Sequence, residues 1–214
     1  MRALLGLILF IGTASVNAAP QNARDVVEGA ATQAIQALKK NRPELERSPA
    51  KIYDFVREYL LPYFDFEYAS RLVLAKYWRT ATPEERERFQ AAFQRTLIRS
   101  YASSMLKYSD QKIQFLPYRE TAGSDETTVK TEVNTDSGKP VAVDYNLRRN
   151  AQGEWKVYDV IIDGISVVLN YRSTFASEIR RLNGLAPLIE RMEERNRSNV
   201  LEPEPAAPSS GNDG

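Results

Sequence analysis

Apolar residues recur along the chain first with a helical period, then with a period of two, and then with a helical period again. From Arg24 to Asn41 the positions Val26, Val27, Ala30, Ala31, Ala34, Ile35 and Leu38 fall at helical spacing and predict a first helix. A second is predicted to open at SPAKIYDF, with Ser48 as N-cap and Pro49 at the first helical position, where a missing N–H costs nothing; Pro62 ends or kinks it. Asp65 restarts the chain into DFEYASRLVLAKYW, a third helix with a stripe of Phe66, Leu72, Val73, Tyr77 and Trp78. In TPEE, Thr82 caps, Pro83 sits first and Glu85 completes a capping box. The helix it opens runs to about Tyr108, roughly 39 Å at ~1.5 Å per residue. Its stripe is Phe89, Phe93, Leu97, Tyr101, Met105 and Tyr108.

After Ser109 the period changes to two. KIQFLPY predicts a short strand, TTVKTEV alternates Val129, Thr131 and Val133 against Thr128, Lys130 and Glu132, and a turn at DSGKP leads into VAVDYNL. There Val141, Val143, Tyr145 and Leu147 share one face and Asp144, Asn146 and Arg148 the other. The NAQGE turn returns the chain as WKVYDVII, and short turns of this kind join antiparallel neighbours. Asp163-Gly164 ends that strand, a helix runs from about Ser166 to Leu182 with Gly184 as its C-terminal cap, and APLIERMEER forms a last helix.

The expected fold is therefore α+β: a curled antiparallel sheet of about four strands packed against a long helix, with further N- and C-terminal helices. WKVYDVII is apolar on both faces, so part of it must be covered on both sides. Either the helices pack directly on the sheet and fill the core, or they stand off and leave an apolar cleft. Periodicity alone does not choose between the two.

Composition narrows the chemistry. With no Cys and no His, disulfide frameworks, thiol nucleophiles, Ser-His-Asp relays and His-bound metals are excluded, and no cofactor is expected. The glycines never form a phosphate-cradling motif. The apolar run from Ala3 to Ile11, with small residues at Val16, Ala18 and Ala19, reads as a signal peptide over residues 1–18, cut after Ala18 or Ala19. Of 29 basic residues one, Arg2, lies in that leader, leaving 28 against 28 acidic, a balance that gives no basic footprint for nucleic acid. Residues 24–196 are expected to form one domain, and 197–214, polar and proline-rich, a disordered tail. Asp159 and Asp163, four apart, are the one carboxylate pair placed for hydrolysis; the ordinary reading puts Asp163 in the Asp-Gly turn and Asp159 on backbone donors. A partner-binding adaptor with an apolar groove is a further alternative.

Two blocks, LVLAKYWRTATPEERERFQAAFQRTLIRSYA and WKVYDVIIDGISVVLNYRSTF, resemble the MlaC family, also called toluene-tolerance auxiliary proteins. The resemblance spans about Pro62 to Met192 and implies an NTF2/cystatin-like sheet-and-helix fold with a deep apolar cleft for phospholipid acyl tails. It also implies a periplasmic, non-enzymatic carrier that exchanges lipid with an outer-membrane MlaA-porin complex and with the MlaD subunit of an inner-membrane ABC transporter, so maintaining outer-membrane lipid asymmetry. Physics agrees: at roughly 0.8 kcal/mol per buried methylene, a pair of ~16-carbon tails gains more than ~20 kcal/mol gross in a dry cleft. The expected lining is Leu97, Tyr101, Met105, Val143, Tyr145, Val160, Ile162, Val167 and Tyr171, with tyrosine hydroxyls at a wet mouth. Arg148, Arg149 and Arg172 are candidates for the headgroup phosphate or for partner docking.

Overall fold

A computed structural model describes residues 22–48, 50–107, 112–135 and 138–197, without the side chains of Met105 and Lys107. The expected leader and tail, Tyr108, and part of the DSGKP turn lie outside the described residues. The helices are α1 (Ala23–Arg47), α2 (Lys51–Tyr59), α3 (Phe66–Leu74), α4 (Lys76–Thr80), α5 (Pro83–Lys107), α6 (Val167–Leu182) and α7 (Leu185–Arg197). Between α5 and α6 lie β1 (Ile113–Phe115), β2 (Glu126–Val133), β3 (Val141–Arg149), β4 (Trp155–Ile162) and β5 (Ile165–Ser166). They form one antiparallel sheet in the order β1-β2-β3-β4-β5, one strand more than expected because the chain after Asp163-Gly164 doubles back for two residues before α6.

Local chemistry explains most boundaries. Asn22 caps α1 through Asp25 N–H (2.9 Å), Asp65 caps α3 through Tyr68 N–H (3.0 Å), and Ser166 caps α6 through Leu169 N–H (3.0 Å). Thr82 and Glu85 exchange both bonds of the capping box, at 2.9 and 3.1 Å. Elsewhere the expectations need correction. Ser48 does not open α2; it closes α1, its N–H donating to Glu44 O (2.9 Å), while α2 starts at Lys51 behind Ala50 with no side-chain cap. Helix α1 runs past Asn41 and carries Pro43 inside it; Arg47 Nε donates to the Pro43 carbonyl. The third helix breaks at Ala75, which has φ 48°, so α3 and α4 point differently. At the end of α6 the left-handed residue is Asn183 (φ 57°) rather than Gly184, whose N–H closes the cap on Ile179 O at 3.1 Å.

The main core joins α3, α4, α5, α6 and α7. Phe93 sits at its centre, with ring centroids of Phe66, Phe89, Tyr171 and Phe175 at 5.2–5.8 Å. Arg88 on α5 makes a two-pronged bond to Glu193 on α7 (2.9 and 2.8 Å), and buried Asn196 donates to Ala92 O (2.8 Å), fastening the end of α7 to α5. A second cluster packs the later half of α1 and α2 on Ile98 and Ala102 of α5. A third packs Ala23 and Val27 of α1 on Val129, Leu147, Trp155 and Val157 of the sheet.

One α1 position is not used for packing. Gly29 sits in mid-helix, and a Cβ built there meets nothing within 4 Å. Gly29→Ala is therefore expected to raise unfolding stability by about 0.5–1 kcal/mol, by reducing the freedom of the unfolded chain, with no other change. Urea unfolding of the two proteins checks it; a destabilised Ala variant would mean that α1 is not a free helix surface at this point.

Candidate functional site

The apolar strand β4 supplies the first wall of the site, through a β-bulge. Opposite β3, Trp155 pairs with Arg149 and Val157 with Leu147, but then Asp159 pairs with Asn146, Val160 with Tyr145 and Ile162 with Val143. Tyr158 is the extra residue. Because one inserted residue reverses the alternation, Trp155, Val157, Val160 and Ile162 all share the inner face with Val143, Tyr145 and Leu147. The run that seemed apolar on both faces is thus mostly apolar on one. Its outer side is still covered: Tyr158 meets the edge of Tyr68 on α3 at 5.2 Å, and Asp159 holds the start of α6.

The inner face changes character along its length. At the Trp155 end it is fully buried under α1, Phe64 and Tyr118. At the other end Val141, Val143, Tyr145, Val160 and Ile162 are only half-buried. Among the described residues the principal backbone neighbours of α5 are α7, α3 and α2. Leu97 and Tyr101 on α5 and Val167 and Tyr171 on α6 are half-buried too, Leu97 and Tyr171 against the core around Phe93. Tyr145 has the environment of a recess. Burial raises its hydroxyl pKa above the ordinary tyrosine value, only partly offset by a hydrogen bond with Thr131, yet the side chain keeps accessible surface.

Of the nine residues expected to line a cleft, eight are half-buried, four on β3 and β4 and four on α5 and α6; the side chain of Met105 lies outside the described residues. Two cavities of about 450 and 340 Å³ occur elsewhere, one between Tyr77, Thr80, Arg180 and Asn183 and one along Asp25, Glu28, Gly29 and Gln33 of α1. Neither touches the nine. Hydroxyls missed by the sequence reading also stand on the walls. Ser100 on α5 accepts from the Tyr171 hydroxyl at 3.4 Å, and Ser104 is one turn further on. Their spacing from Leu97, by three and seven residues, was the available signal.

The charged candidates have settled uses. Arg148 pairs with Asp65 (2.6 Å) and lies over Tyr68 (4.2 Å), so it ties β3 to the cap of α3. Arg149 pairs with Glu120 (2.9 Å), donates to Gly153 O (2.8 Å) and covers Trp155. Only Arg172 of the three is exposed, on α6. The carboxylate pair is likewise structural. Asp159 accepts from Ser166 Oγ–H (2.6 Å) and Val168 N–H (3.0 Å) at the start of α6; Asp163, at φ 48° in the tight turn, accepts from Ala142 N–H (3.2 Å). No group of His, Cys, Asp and Glu among the described residues has the spacing of a metal site, and no helix there is long and apolar enough to cross a membrane.

The chain has relatives of known kind. A search of solved structures aligns the chain with a phospholipid-binding protein from Ralstonia solanacearum, determined in complex with a phospholipid, at TM-score 0.77 and 29% identity over 84% of this chain and 99% of that one. Among characterised proteins, the toluene tolerance protein ttg2D of Pseudomonas putida is 34% identical over 176 residues, 82% of this chain and 81% of its own. The intermembrane phospholipid transport system binding protein MlaC of Haemophilus influenzae is 29% identical over 173 residues, 79% of each chain. The MlaC protein family model matches residues 28–194, nearly the whole described fold, and the chain belongs to the MlaC family.

Proposed function

We propose that this protein is a phospholipid carrier: it holds acyl tails between the inner face of the sheet and helices α5 and α6, and moves lipid without performing chemistry on it. The observation that carries this reading is that eight apolar or aromatic side chains on β3, β4, α5 and α6 stay half-buried rather than sealed in the core. A tail needs only volume, low polarity and adaptable walls, and valine, leucine, isoleucine and tyrosine rings supply them. The phospholipid complex of the Ralstonia relative, and the name of the Haemophilus relative, support the same cargo.

The finer reading places the carrier in the periplasm, shuttling between an outer-membrane MlaA-porin complex and the MlaD subunit of an inner-membrane ABC transporter, with outer-membrane lipid asymmetry as the result. It rests on family membership and on the predicted leader. With Arg148 and Arg149 held in internal ion pairs, Arg172 is the best placed of the three candidates for a headgroup or an acidic partner. Catalysis has no support from Asp159 or Asp163, whose oxygens hold helix and turn.

Native mass spectrometry of protein purified without detergent from its native compartment tests the cargo. Phospholipid bound in stoichiometric amount is the expected result; a preparation that is folded, lipid-free and unable to take up added phospholipid would refute the carrier reading.

A further inference from the structure

Helices α5 and α6 run antiparallel, and their contacts can be followed level by level. Phe175 meets Phe89 and Phe93, Tyr171 meets Phe93 and then Ser100, and the next turn of α5 brings Ser104 to the level of Val167. On the helical wheel Ser104 falls between Phe93 and Leu97, on the face turned toward α6 and the cleft. The series thus leaves a filled aromatic core, passes a pair of hydroxyls, and runs on toward the start of α6.

Ser104 Oγ is shielded from solvent and has no hydrogen-bond partner among the described residues. A shielded hydroxyl without a partner is costly, and a helical serine ordinarily relieves that cost by bonding back to the preceding turn. Here it does not. The neighbouring apolar residues would take a hydrocarbon without any polar group, so a donor held at this depth has a use only if the cargo brings an acceptor to it. Phosphate ordinarily draws on a cation as well as a neutral donor. A neutral carbonyl needs one donor and no countercharge.

Building on the phospholipid reading above, we infer that Ser104 Oγ–H donates to an acyl-ester carbonyl of the bound lipid, so that the cleft recognises the ester linkage as well as the tails. Tyr171, its hydroxyl held by Ser100, forms the inner limit of this polar step. The cleft then selects for glycerolipids joined through esters and against those joined through ethers of equal length.

The test is a competition read by native mass spectrometry: the full-length mature protein is offered equal amounts of a diester and a diether phosphatidylglycerol with the same chains. Wild-type protein is expected to enrich the diester by about 2- to 12-fold, the range of one neutral hydrogen bond, and Ser104→Ala to bind the two nearly equally. Ser70 is a second shielded hydroxyl without a partner, but it lies on α3 near the Phe66–Phe93 core, so Ser70→Ala is expected to keep the wild-type ratio. Equal binding by wild-type protein, or an unchanged preference in Ser104→Ala, overturns the inference while leaving the carrier reading intact. Displacement of the diester by an equimolar free fatty acid of the same length assigns the acceptor to a carboxylate and overturns it as well. Failure of wild-type protein to bind either phospholipid removes the carrier reading and this inference with it.

Discussion

Phe93→Ala is expected to lower unfolding stability by about 3–5 kcal/mol, the largest effect of any single truncation in the main core. Phe93 is 1% exposed and touches four other rings, from α3, α5 and α6. Removing it deletes the apolar contacts of a whole ring and leaves a cavity that these neighbours, fixed on three helices, have little freedom to fill. At about 2–4 °C per kcal/mol for a chain of this size, the melting temperature should fall by roughly 6–20 °C. Thermal and urea unfolding measure it. A loss below about 1.5 kcal/mol would show that the helix layer repacks freely, and the idea that α5 is held at a fixed distance from the sheet would lose its support. Lipid-loaded and lipid-free protein should be compared separately, since a ligand bound only to the folded state adds to the apparent stability.

Charging the sheet wall should have an equally large effect on cargo and a much smaller one on the fold. Val160 and Ile162 are half-buried and sit opposite Tyr145 and Val143, with Val160 at the margin of the cluster sealed by α1. In the absence of lipid a glutamate at either position can keep its carboxylate near water. With tails in the cleft it cannot, and the desolvation of an unpaired charge costs several kcal/mol, each 1.4 of which is tenfold in affinity. Val160→Glu and Ile162→Glu are therefore expected to reduce copurified phospholipid at least about tenfold while unfolding stays cooperative. Should a charge unfold the sheet, Val160→Phe with Ile162→Phe tests the same wall by occupying volume. A folded variant of either kind that carries wild-type amounts of lipid would exclude this face from the binding site.

The helix layer was legible in the sequence because its signals are local. Capping boxes, N-cap carboxylates and periodic stripes act within one or two turns, so Asp65, Thr82, Glu85 and Ser166 could be assigned from neighbouring residues alone. Where local signals competed, local reading failed. Ser48 followed by Pro49 has the form of a helix start, yet α1 continues through Pro43 because Leu45 is buried against Ile52 and Phe55, and that packing outweighs the proline. The break at Ala75 likewise has no glycine or proline to announce it.

The sequence by itself determined the order of helices and strands, the absence of thiol and imidazole chemistry, and the apolar residues available for two walls. Only the tertiary structure decided which of those residues share a face and which stay half-buried. The bulge at Tyr158 turns Val160 and Ile162 to the same side as Val157, a one-residue change of register that no hydrophobic pattern encodes. The packing of α5 on α2, α3 and α7 sets its distance from the sheet. The physical reason is that alternation and helical period specify which face of an element is apolar, whereas the separation between two such faces depends on contacts made far away in the chain.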